Sequence, residues 1–303
     1  GIIGKFNSNN SLLVTGTNSA WTNRIDLYVG YIGSSNSLVI SDGGSVVNSD
    51  GYIGTANNSS NNSALVTGTG SAWTNTANLY IGASGSSNSL VISNRGSVVN
   101  SNGYIGYNSA SSNNIVTVTG TNSAWTNTGN LSVGESGSGN RLVISDEARV
   151  VVSSSGYIGY TSNSSNSSVL VTGTNSVWTN SSALFIGFQG SSNSLIISNG
   201  AGVVNLSGRI GESVASSNNI VTVTGTNSAW TNTGDLRVGN NGSSNSLVIS
   251  NGGSVVNLSK LCLDEYGGSL GRYFRQQQQP GDQQQGQCDQ LQWIYRIRFQ
   301  FLK

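Results

Sequence analysis

Leu13–Asn23 reads LVTGTNSAWTN, and Leu38–Asn48 reads LVISDGGSVVN. Laid over one another without a gap, they put Trp21 on Val46, Thr22 on Val47 and Asn23 on Asn48. Each joins two runs of β-branched and aliphatic residues through Gly, Asn, Asp and Ser, which is the chemistry of strand, turn and strand. The same pair recurs along the chain. AWTN or VWTN places Trp21, Trp73, Trp125, Trp178 and Trp230, at steps of 52, 52, 53 and 52 residues. Each step holds both halves, so the basic period is about 26 residues, the size of one solenoid unit.

Every half carries three short extended runs. One half has LYVG, SLVIS and SVVN; the other has GYIG, VTVTG and AWTN. Runs this short do not make independent hairpins. Three per period describe one triangular coil of an all-β, single-stranded parallel β-helix, each coil burying its apolar face only against its neighbours. The closing Asn recurs at Asn23, Asn48, Asn75, Asn100, Asn127, Asn180, Asn205, Asn232 and Asn257, with Ser153 in the one missing place. Those positions predict about ten coils and, at about 4.8 Å per strand, a rod about 45–50 Å long. Parallel crossovers favour the right hand, which is the expected handedness.

Stacking turns sequence columns into ladders. The recurring Asn is expected to pass side-chain amide hydrogen bonds to the coils above and below. A second column holds Tyr28, Tyr52, Tyr80, Tyr104, Ser132, Tyr157, Phe185, Arg209 and Arg237. Its neighbours, among them Val29, Ile53 and Ile81, should point inward, which turns the aromatic column outward. Such a stripe either stacks on itself or offers a surface to sugars or a partner. A third column pairs Thr15 with Thr17, and likewise Thr67 with Thr69 and Thr119 with Thr121. Because the matching strand of the other half ends in VIS, this Thr array reads as interrupted in alternate coils, which argues against a flat water-ordering plane. Trp alternates with Val46, Val98, Val150, Val203 and Val255; alternation leaves its facing open, because Val46 and Val47 are both apolar.

The 303 residues carry 8% charge, a net charge of +1, no His and no Met. That balance gives no electrostatic footprint for nucleic acid. No apolar run approaches a membrane span. The chain has no initiator Met and no visible signal peptide, and reads as a fragment of something longer. Catalysis needs convergent groups, whereas Asp26, Asp42, Asp50, Glu135, Asp146, Glu147, Glu212 and Asp235 fall in different columns. Asp146, Glu147 and Arg149 come closest to a cluster and read as an irregular solvated turn in the coil with an inserted residue. No metal motif, cofactor motif or catalytic residue is assigned, and the chain is expected not to be an enzyme.

The repeat covers residues 1–259. Residues 260–303 differ: they include QQQQPGDQQQGQCDQLQWIYRI, Gln276 to Ile297, and hold both Cys and the only Pro. Codons for Gln292 to Arg296 written CAA TGG ATA TAT CGG become, one base on, codons for Asn-Gly-Tyr-Ile-Gly. The shifted stretch permits SSNSLVISNRGSVINSNGYIG, one residue from Ser86–Gly106. The tail therefore reads as another repeat in the wrong frame, expected to pack poorly or fold back over the last coil. The competing readings are a Cys262–Cys288 redox pair and a Gln-rich tract.

The pattern VTVTGTNSAWTNTGNLxVGxxGSSNSLVISNGGSVVNSNGYIG resembles the tandem repeat of bacterial autotransporter (type V secretion) passenger regions and PEP-CTERM-associated surface proteins. The resemblance spans residues 1–259. It implies an exported, extracellular, surface-displayed stalk or adhesin-like region, with surface glycans or proteins of a host or environment as partners. A carbohydrate-binding or, failing that, carbohydrate-degrading β-helix is the alternative, using the stripe Tyr28, Tyr52, Tyr80, Tyr104, Tyr157 and Phe185 as its ligand surface.

Overall fold

A computed structural model describes residues 1–263 and 295–296. The chain winds into a β-solenoid of about ten turns at about 26 residues per turn, with no helix among the described residues. Three sheets, of 11, 10 and 11 strands, form its sides. One turn runs Leu27–Val29, Ser37–Ser41 and Ser45–Asn48; the next runs Gly51–Ile53, Ser63–Thr67 and Ala72–Asn75. The sides are called here the aromatic, hydroxyl and tryptophan sheets, in that order. Strands stack in parallel on their counterparts one turn away, so Tyr28 faces Tyr52 and Val46 faces Trp73.

Alternation sets the inside. In Ser37–Ser41, Leu38 and Ile40 are buried and Val39 is partly exposed; in Leu27–Val29, Leu27 and Val29 are buried around an outward Tyr28. The inward side chains make one continuous core from Ile3 to Val255. Trp faces inward: Trp73, Trp125, Trp178 and Trp230 are all fully buried, as is Val46, whereas Val47 lies on the outer face.

The Trp rings fit because large and small residues alternate from turn to turn. Val46 faces Trp73 from the turn before, and Gly51 opens the turn that Trp73 closes. A Cβ at Gly51 would lie 3.0 Å from Trp73 Cζ2 and 2.9 Å from Leu79 Cδ1, and would run into Asn75 Oδ1. Gly103, Gly156 and Gly208 stand in the same relation to Trp125, Trp178 and Trp230. Two turns thus pack as a doublet, the ring of one spreading into space its partner leaves.

Three details of register differ from the sequence reading. The two halves do not stack without a gap. Leu12, not Leu13, faces Leu38, while Ala20 faces Ser45. The corner after Thr15 holds one more residue than the corner after Ser41, and backbone pairing follows the inward Leu and Val rather than the linear alignment. The missing Asn is replaced by Val152, which faces Asn127 and Asn180, and not by Ser153. The inserted residue lies in the corner Ser153–Ser155, since three residues separate Val152 from Gly156 where two separate Asn100 from Gly103. Asp146 and Glu147 consequently sit in a regular turn, not an irregular one. They have φ of 55° and 68°, matching Asp42 and Gly43 at 51° and 88°.

The coil pattern continues just past residue 259. Leu261–Leu263 pairs in parallel with Leu236–Val238, and Tyr295–Arg296 adds antiparallel to Val256 and Asn257. Cys262 is buried and disulfide-bonded. The rest of the expected out-of-frame tail lies outside the described residues.

Candidate functional site

The predicted Asn column closes the tryptophan sheet. Asn48, Asn75, Asn100, Asn127, Asn180, Asn205 and Asn232 are buried, and Asn23 and Asn257 are partly so. The bonds do not run on from coil to coil as expected; they come in pairs. Asn48 Nδ2 donates to Asn75 Oδ1 at 2.7 Å, and Asn48 Oδ1 accepts from Trp73 Nε1 at 2.7 Å. The Asn100/Trp125/Asn127 and Asn205/Trp230/Asn232 sets repeat this. Between doublets the link is absent: Nδ2 of Asn75, Asn127 and Asn232 has no hydrogen-bond partner among the described residues. Where Val152 replaces Asn, two atoms lose the partner their equivalents have: Trp178 Nε1 and Asn180 Oδ1.

A second Asn column escaped the sequence reading. Asn36, Asn62, Asn88, Asn114, Asn140, Asn193, Asn219 and Asn245 are buried in the corner before the hydroxyl sheet. The backbone N–H and Nδ2 of Asn62 both donate to Asn88 Oδ1, at 2.9 and 3.1 Å, and Asn88 does the same to Asn114 at 2.9 and 3.1 Å. Here the relay is continuous up to Asn140, where Ser167 follows. The ladder also explains the Gly of YIG and YVG. At Gly30, with φ of +76°, a Cβ would run into Asn62. The signal available was a step of 26 from Asn36 to Asn62, Asn88, Asn114 and Asn140, concealed among Ser and Asn neighbours.

The Thr column is interrupted in alternate coils, as expected, but by Ser, so every rung carries a hydroxyl and the hydrogen bonds run in pairs. Thr15 and Ser41, Thr67 and Ser93, and Thr119 and Ser145 are hydroxyl pairs at 2.8, 2.9 and 2.8 Å. The Ser of VIS fills the rung that the linear alignment had left unmatched.

The aromatic column does point outward and stacks on itself. Tyr28–Tyr52 and Tyr52–Tyr80 ring centroids are 4.8 Å apart with interplanar angles of 8° and 4°, and Tyr80–Tyr104 follow at 5.0 Å and 14°. After Ser132 the stack resumes with Tyr157–Phe185 at 5.1 Å and 3°. A second column, also missed, packs edge-on beside it. Tyr31 lies 5.1 Å from Tyr28, Tyr107 lies 5.0 Å from Tyr104, and Tyr160 lies 4.9 Å from Tyr157. Burial raises the phenol pKa of Tyr80 to about 12. Burial, then the hydrogen bond its hydroxyl donates to Asp26 Oδ2 at 3.0 Å, raises Tyr28 to about 12. Tyr52, Tyr104 and Tyr157 move upward too, burial being the first cause. Arg209 ends the stack, its Cζ 6.0 Å above the Phe185 ring and its Nη1 3.5 Å from Glu212.

The carboxylates serve turns. Asp26 Oδ1 accepts from the Asp50 N–H and Asp50 Oδ1 from the Asn78 N–H, each one coil along. Asp146 is held below the usual carboxylate range by hydrogen bonds from Thr119 and Ser145, and Glu147 accepts from Thr121 at 2.7 Å. Arg149 lies exposed on the outer face of its strand and joins neither in an ion pair. Among the described residues no three His, Cys, Asp or Glu side chains gather as a metal site, and no helix is long and apolar enough to cross a membrane. No family model, curated protein or solved structure matches the chain.

Proposed function

We propose that this chain is a non-enzymatic stalk or adhesin-like passenger region, exported and displayed on a bacterial surface. The observation that carries the reading is the destination of its recurring polar groups. The two Asn columns, the Thr–Ser pairs and the Asp26–Asp50–Asn78 series all bond from one coil to the next. A rod whose repeated polar side chains join coil to coil is suited to spanning distance. The resemblance of VTVTGTNSAWTN…GYIG to passenger-type repeats supports export, and partners would be surface glycans or proteins.

The carbohydrate alternative draws less support from the stripe. A sugar stacks on a ring face, and the faces of Tyr52 and Tyr80 already contact rings on both sides. Only ring edges remain for Tyr52 and Tyr80. A glycan array with Tyr52→Ala and Tyr80→Ala should show no binding that depends on either residue.

The test of the main reading is display. The gene with its native flanks is expressed in its own host, and intact cells are treated with protease and with antibody to the repeat. Labelling of intact cells and loss of the epitope on shaving are expected. An epitope reached only after lysis would overturn the proposal.

A further inference from the structure

Two coils carry a glutamate directly after the Gly that closes an aromatic-sheet strand: Glu135 follows Gly134, and Glu212 follows Gly211. Three residues earlier, the stripe position holds Ser132 in one and Arg209 in the other. In the second coil the chain supplies its own cation. Arg209 lies over the face of Phe185 and pairs with Glu212. In the first coil the glutamate and the ring beneath are kept, but the cation is not. Glu135 makes no ion pair among the described residues, and its carboxyl pKa is raised by burial, with only the Ser132 hydroxyl acting to lower it.

The surroundings fit what is missing. Tyr104 pairs with Ser132, and Ser132 with Tyr157, so the stack of rings is broken at one rung, where Ser132 lies buried beneath its neighbours. Two rungs span about 9.6 Å, which puts the midpoint about 4.8 Å from each ring. That is inside the reach of about 6 Å over which a cation is attracted to a ring face. Tyr107 and Tyr160 stand at 71° and 84° to Tyr104 and Tyr157 and form side walls. An uncharged ring would fill the rung equally well by shape, but it would leave a partly buried carboxylate uncompensated.

We propose that Tyr104, Tyr107, Ser132, Glu135, Tyr157 and Tyr160 form a binding site for an organic cation of guanidinium or alkylammonium type. It takes the place over Tyr104 that Arg209 takes over Phe185. The same chemistry is offered by a free small cation and by an Arg or Lys side chain of a partner protein. The site is independent of the stalk reading, since it uses ring faces and a carboxylate that the inter-coil ladders do not.

The experiment is calorimetry and tyrosine-ring NMR on the full chain at neutral pH and low salt. The probes are methylguanidinium, n-butylammonium and the peptide Gly-Arg-Gly. Glu135→Gln removes the charge at constant shape, Ser132→Arg copies the Arg209–Glu212 arrangement, and Glu147→Gln is a control away from the stripe. Saturable one-site binding is expected in the wild type and in Glu147→Gln, weakened by about tenfold or more in Glu135→Gln and Ser132→Arg. The Glu135 carboxyl should titrate at lower pH once the cation is added. Peptide binding much tighter than methylguanidinium binding identifies a protein side chain as the source; equal binding identifies a small molecule. Absence of saturable binding, or binding by Glu135→Gln equal to wild type, overturns the proposal. The Glu135→Gln arm decides even if Ser132→Arg fails to fold.

Discussion

Val152 shows how one residue enters the energetics of the stack. At the other doublets Asn accepts from a buried Trp Nε1 and donates to the next Asn; at Val152 neither bond exists. Leaving a buried polar atom unpaired costs about 1–3 kcal/mol. Val152→Asn is therefore expected to stabilise the chain by about 1–2 kcal/mol, read as a higher midpoint in denaturant. The complementary comparison is Trp73→Phe against Trp178→Phe. The first removes a hydrogen bond that the second does not, so it should cost about 1 kcal/mol more; equal losses would mean that Trp73 Nε1 contributes nothing. Backbone strain gives another test. Arg95 and Glu147 have φ of 70° and 68° where the equivalent residues Gly43, Gly200 and Gly252 are glycines. Arg95→Gly and Glu147→Gly should each stabilise by about 1 kcal/mol, despite glycine's usual entropic penalty.

At the scale of elements, the corner Asn ladder is expected to matter more than the one legible from sequence. Asn88 accepts two bonds from Asn62 and donates two to Asn114 while fully buried. Asn88→Ala should cost about 3 kcal/mol or more, measured by equilibrium unfolding. The aromatic stripe sets an alkaline limit. Tyr28 and Tyr80 have folded pKa values of about 12, above the usual 10. A phenol whose folded pKa is raised contributes stability that is complete below its unfolded pKa and lost as pH rises toward the folded one. Stability should fall between about pH 10 and 12, and phenolate absorbance should appear late and together with unfolding. Phenolate absorbance that rises near pH 10 without unfolding would show that the stripe is not protected. What was legible here followed the inward residues: Val29, Ile53 and Ile81 set the facing of their strands by alternation and turn the aromatic column outward. What was hidden depended on lateral pairing. The corner after Thr15 is one residue longer than its counterpart, so a linear alignment misassigned the Ser of VIS and found a gap where a hydroxyl pair exists. Tyr31, Tyr107, Tyr160 and Phe188 went unread as a column because Thr55, Ala83 and Glu135 occupy the same position in other coils.

For the whole molecule, the sequence period yielded the architecture because each coil contacts chiefly its neighbours, so period and fold are nearly the same information. Function is less visible for the same reason: most recurring residues are accounted for by stacking, and only departures such as Ser132 and Arg209 speak of anything else. The doublet has a further consequence, for how such a chain changes length. DNA encoding near-identical repeats gains and loses copies by unequal crossing-over. A change of two coils places Val and Gly against Trp and Leu again, and every Asn finds its usual mate. A change of one coil sets Trp upon Trp and leaves an Asn without its partner at the seam. Variation among natural alleles of this chain should therefore run in multiples of the 52-residue step and avoid its half.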